Sequence, residues 1–182
     1  MALEFTTSYL EDSRGLFRHY KQLAERAIEQ VPDDQLMAVL DADGNSIATL
    51  VKHMAGNLRS RWTDFLTTDG EKANRDRDGE FVDPPSTRQA LLRDWEDGWS
   101  CLFGTFNSLS EADLGREVRI RGEAHSVFQA IHRQVAHHCY HAGQIVLLAK
   151  HFAGESWTTL TVARGGSAEF TRSVVAGEVS QR

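Results

Sequence analysis

The sequence predicts an all-α protein, a four-helix bundle followed by an irregular C-terminal arm, on three observations. Four long segments carry apolar residues at the helical period, no internal repeat or convincing core strand stands between them, and the one long interruption is a charged, proline-closed connection. A chain of 182 residues with 41% hydrophobic content can bury a core of its own, so one domain over 1–182 is expected.

The first helix, at about 4–30, is written by Tyr9, Leu16, Tyr20, Leu23 and Ala27, flanked by Leu10, Phe17 and Ala24, and Pro32 stops it. Asp41 to Asn45 (DADGN) is a turn cluster. Its Gly comes too early, and Lys52 stands where a calcium loop needs Glu, so calcium is excluded. Asn45 or Ser46 then caps a second helix at about 46–66, carrying Ile47, Leu50, Val51, Met54, Leu58, Trp62 and Phe65. Residues 67–85 form a charged surface connection, in which Asp76, Asp78 and Glu80 read as solvated, the alternative being that they approach an open metal position. Ser86 with Gln89 makes a capping-box pair for a third helix at about 87–109, whose stripe of Leu92, Trp95, Trp99, Leu102 and Phe106 reads as core. The piece EVRIRGE alternates and contains Gly122, which suits a short extended or hairpin excursion. A fourth helix at about 125–152 follows Val127, Ile131, Val135, Ile145 and Leu148, with Gly154 as a left-handed cap. The arm, 154–182, is rich in Gly, Ser and Thr and holds at most a short helix.

A net charge of -6 argues against a nucleic-acid partner, which would call for a basic stripe. The acidic, mixed start MALEFTTSYLEDSR lacks the pattern of a secretory signal, and no stretch reaches membrane-spanning length, so a cytoplasmic protein without a membrane partner is expected. Cys101 and Cys139 read as small, buried, reduced thiols.

The chemical signal is the string QVAHHCYHAGQI. His137 and His141, four apart on one helix, stand one turn above each other and can reach one ion. His53, on a flank of the second helix with Asn57 one turn on, is the candidate third ligand. Counting about 100° per residue, His138 points nearer the centre of the fourth helix's apolar face than His137, so a His138 and His141 pair stays open. His19, His125, His132 and His151 read as ordinary polar residues.

The strings KHMAGNLRSRWTDFLTTDGEK and HHCYHAGQI resemble the DinB-like (YfiT-like) metalloprotein superfamily, in its branch of uncharacterised bacterial proteins. That superfamily is four-helical and commonly dimeric. Its pattern is one histidine in the second helix, and a histidine pair spaced by three residues and followed closely by Gly-Gln. The resemblance assigns the metal ligands to His53, His137 and His141, with Gly143 and Gln144 as the Gly-Gln. Ala142 stands where the pattern usually has Arg, and TVARGGSAEFT lacks an expected Pro, which weakens the transfer of substrate contacts.

Three neutral imidazoles leave a tetrahedral ion one open position, as in catalytic zinc sites, and nickel also accepts nitrogen ligands. An ion so held lowers the pKa of water toward ~7 or keeps a thiol as thiolate. The resemblance implies a thiol-dependent transferase or hydrolase acting on small electrophiles, working as a homodimer with zinc or nickel and a low-molecular-weight thiol. Asn57 is then a candidate to orient a ligand, and Arg59 or Arg61 to meet a carboxylate on the thiol or substrate. The alternative is a non-catalytic metal-binding or stress-associated helical dimer.

Overall fold

The computed structural model describes residues 8–180 and contains α1 (Tyr9–Ile28), α2 (Ile47–Trp62), α3 (Arg88–Ser108), α4 (Val127–Ala153) and the short α5 (Ser167–Val175), with one hairpin, β1 (Glu117–Ile120) and β2 (Glu123–Ser126). The expected all-α bundle is present: α1 packs chiefly on α4, and α2 on α3. No helix among the described residues is long and apolar enough to cross a membrane.

Each long helix opens on a side-chain cap that satisfies an otherwise orphaned amide. Ser8 and Ser126 form capping boxes with Glu11 and Gln129, and Ser46 accepts from the Thr49 amide. For α3 the cap is Thr87, accepting from the Ala90 amide, one residue later than the expected Ser86 and Gln89 pair. The expected start of α1 at residue 4 lies outside the described residues. The second helix ends at Trp62, not 66: Asp64 takes a positive φ of 48°, so Phe65 is buried from a turn beyond the helix. The fourth starts at Val127, because His125 pairs with Val118 in the hairpin. Gly154 has the positive φ expected of it, 56°, with ψ at -127° outside the left-handed helical region.

The buried stripe of α1 runs through Leu10, Phe17 and Ala24, expected only to flank it, together with the expected Ala27, while Leu16 is 45% exposed. Phe17 decides this. Its ring meets Trp62, Trp99 and Phe106 edge-on at 6.3, 6.2 and 5.4 Å, an aromatic centre joining α1, α2 and α3. Edge-to-face pairs add about 0.5–1.5 kcal/mol each beyond the area they bury. Both cysteines are unpaired; Cys101 is half-buried and Cys139 exposed, against the expectation that both are buried.

The 67–85 connection is tied down rather than free. Lys52 Nζ on α2 donates to the carbonyls of Gly79, Val82 and Asp83 at 2.7, 2.6 and 3.2 Å. The Ser60 hydroxyl donates to the Gly70 carbonyl at 2.9 Å. The Asp69 carboxylate accepts from the amides of Arg121 and Gly122 at the hairpin tip, at 2.8 and 2.7 Å. The arm is anchored by Gln30, whose amide exchanges two hydrogen bonds with the backbone of Thr158.

The α2–α3 crossing is close because Gly98 has no side chain: a Cβ there would lie 2.8 Å from the Ala55 Cα. Gly98→Ala is therefore expected to force the helices apart and cost about 1–3 kcal/mol, read as a lower urea midpoint with unchanged slope.

Candidate metal centre

α2 and α4 bring three imidazoles together on the flank of the bundle. His137 Nε2 lies 3.2 Å from His53 Nε2 and 3.2 Å from His141 Nε2. One nitrogen of each ring falls within 4.8 Å of the others, so the three can hold a metal ion. His138 is not in this group. It points into the core, fully buried, its ring against Trp99 at 4.9 Å and Phe17 at 6.0 Å and its Nδ1 bonded to Gln134. The wheel placed His138 correctly on the apolar face; the imidazoles gather beside that face, where α4 meets α2.

The outer nitrogens set the tautomers. His53 Nδ1 is 2.9 Å from Glu80 Oε2, and a carboxylate can only accept, so that nitrogen carries the proton. His141 Nδ1 likewise donates to Gln144 Oε1 at 2.7 Å, which gives the Gln of the Gly-Gln a physical task. With a proton on Nδ1, each of these rings has Nε2 left to offer a lone pair, and both Nε2 atoms lie 3.2 Å from His137 Nε2. One proton on His137 could satisfy only one of these contacts, whereas a cation satisfies all three nitrogens. His137 Nδ1 is buried without a partner. Burial first, then the neighbouring His138, His141 and His53, push His137 down to about 2, which keeps its ring neutral. Three converging imidazole nitrogens, two of them on rings whose outer nitrogens are hydrogen-bonded, suit a divalent transition ion.

Glu80, in a run whose charges suggest solvation, is instead buried, 6% exposed. Burial raises its pKa, but the hydrogen bonds from His53 and Arg75 outweigh that and bring it below the usual carboxylate value. Arg75 clasps it with two bonds, Nε to Oε1 at 2.7 Å and Nη2 to Oε2 at 2.8 Å. Phe81 stacks on the His53 ring at 4.5 Å. The carboxylate lies against Gly56 of α2, where a Cβ would come within 2.6 Å of Glu80 Oε1. The signal available in the sequence was weak: Gly56 three residues after His53, and a Glu-Phe pair inside a run of exposed charges.

A cavity of about 330 Å³ opens beside His53 and His137. Asn57 and Arg61 line it, and the Asn57 carbonyl oxygen accepts from Gln134 Nε2 at 2.9 Å. Arg59 does not reach it: its guanidinium turns toward α3 and pairs with Asp94 at 2.7 Å.

Removing the carboxylate with Glu80→Gln is expected to weaken zinc affinity about 10–100-fold, read by competition with a chromogenic chelator. His138, like His137, is held neutral in the fold. Burial pushes it down to about 3 from an unfolded value near 6.5. Between those values the unfolded chain binds more protons, so stability falls as pH drops below about 6.5. Chelator-treated protein should show a declining denaturation midpoint from pH 7 to 5, with a shallower slope in His138→Phe.

Over residues 4–166 the chain matches the family described as "Protein of unknown function (DUF1572)", and it belongs to that family. No curated protein and no solved structure matches it.

Proposed function

We propose that this family member is a metal-dependent enzyme. In this reading His53, His137 and His141 hold one divalent transition ion, zinc or nickel, for a thiol-dependent transfer or a hydrolysis on a small electrophilic molecule. The observation that carries the reading is the convergence of three imidazole nitrogens, with the His53 and His141 rings oriented from behind by Glu80 and Gln144. Membership of the DinB-like superfamily, with its thiol-dependent transferases, is part of the proposal and rests on the motif strings. A bound ion would supply Lewis acidity, favouring the deprotonated form of a thiol or water at neutral pH.

The chain's own residues do the rest. Glu80, held by Arg75, fixes the His53 ring and raises its basicity. Asn57, with its amide nitrogen uncommitted, and Arg61 face small molecules entering the cavity. The Phe81 ring covers one face of His53. That the cavity reaches two of the three histidines favours catalysis over a non-catalytic metal-binding, stress-associated role, in which the ligand set would be closed. The superfamily resemblance supports a homodimer. The acidic chain supports a small-molecule partner in place of nucleic acid.

Elemental analysis of tag-free protein tests this. Near-stoichiometric zinc or nickel is expected in wild type and in His138→Phe, and is expected to be lost in His53→Ala, His137→Ala and His141→Ala. Wild-type protein without metal, and without tight uptake of added zinc or nickel, overturns the enzyme.

A further inference from the structure

The cavity beside the histidines is walled by cations. Arg61 from α2, Arg75 and Arg77 from the 67–85 connection, Arg121 from the hairpin tip and Arg133 from α4 all line it, and among the described residues no Asp or Glu does. This is a local concentration of positive charge in a chain whose net charge is -6.

Only part of that charge is answered within the protein. Arg75 is bonded to Glu80 and Glu71, and Arg121 reaches Glu71 at 3.4 Å. Arg77 and Arg133 make no ion pair among the described residues. Arg61 is the sharpest case, because its Nη1 is buried with no hydrogen-bond partner among the described residues. A buried donor left unmade costs about 1–3 kcal/mol, more when charged, so this nitrogen is suited to a partner that enters the cavity, water or an anion. Burial first, and next the guanidinium of Arg75, push Arg61 down to about 10; Arg133 and Arg121 add to the crowding, and Glu71 opposes it. It stays charged at neutral pH, among like charges that an anion would relieve.

A second, independent observation comes from the hairpin. The two-residue turn joining β1 to β2 consists of Arg121 and Gly122, both at positive φ, 56° and 76°. Such turns favour Asn, Asp or Gly at the first position, and an arginine there adopts a sparsely populated backbone conformation. Asp69 holds the turn through both amides, and the result is that the Arg121 side chain lines the cavity. The hairpin spends backbone stability on a guanidinium at this place.

We propose that this cavity is an oxyanion subsite, which takes the carboxylate or phosphate group of a small-molecule substrate or co-substrate and holds its other end at the histidines. Guanidinium forks match the planar carboxylate and the phosphate bidentately. At about 330 Å³ the space suits a small molecule and not a nucleic-acid backbone. The link to catalysis rests on the metal-dependent reading above; the anion site itself does not.

Titration calorimetry with inorganic phosphate and, separately, succinate tests the subsite and distinguishes the two anion types. It is run on the protein as purified and again after chelator treatment. At least one probe should bind saturably, more weakly as potassium chloride is raised, and equally well after chelation. Affinity should fall at least about tenfold in Arg61→Gln and in the double variant Arg121→Asn with Arg133→Gln, with metal content as in wild type. The double variant guards against misfolding: Arg121 and Arg133 are exposed, and Asn suits the turn better than Arg does. No saturable binding of either probe, unchanged affinity in the double variant, or binding lost on chelation, which would seat the anion on the ion, each overturns the subsite. A wild-type protein free of metal that still binds the anion would overturn the enzyme and leave the subsite standing.

Discussion

A single buried carboxylate links the parts of this molecule. Glu80 sits between the His53 imidazole and the Arg75 guanidinium, with all three side chains almost out of water. Breaking such a pair from one side leaves an uncompensated buried charge, at a cost of about 3–5 kcal/mol. The clasp therefore couples two things that look separate in the sequence. It anchors the charged 67–85 connection on α2, and it fixes the tautomer of His53 so that Nε2 faces its two partners on α4. Gly56 is the complement of that clasp on the helix surface, since any side chain there would occupy the carboxylate's place.

The anchored connection in turn shapes the cavity. Because Glu80 is pinned, Arg75 and Arg77 stand at its rim. Because Asp69 reaches across to the hairpin amides, Arg121 stands there too. Two loops with little apolar content are thus ordered by charge-assisted hydrogen bonds, where the helices are ordered by burial. The division of labour on α4 follows the same logic. His138, at the centre of the apolar face, is an aromatic-packed core residue, while His137 and His141 flank that face and carry the metal-binding capacity. Ala142 is fully buried beside them.

Much of the architecture was legible in the residues. Helical periodicity, the cap at Ser46 and the turn signal around Gly122 are local, and local signals survive in a sequence. The stripe of α1 was misjudged by one residue. Tyr9, Leu16 and Tyr20 keep a helical spacing as Leu10, Phe17 and Ala24 do, and the aromatic box of Trp62, Trp99 and Phe106 draws the second face inward. The end of α2 was overrun for a related reason: Phe65 keeps the apolar period while Asp64 breaks the backbone.

By itself the sequence determined four amphipathic helices, a histidine pair four apart on one of them, and a third histidine with the right flank on another. Each is a matter of spacing along one helix, and the helical repeat is known before any folding occurs. Tertiary structure decided which neighbouring histidine faces its partners and which faces the core. It also decided that Glu80 is buried, that Arg61 rather than Arg59 reaches the cavity, and that five arginines from four separate elements share it. These are contacts across long separations in the chain, set by how helices cross and where loops are tied, and no period in the sequence encodes them.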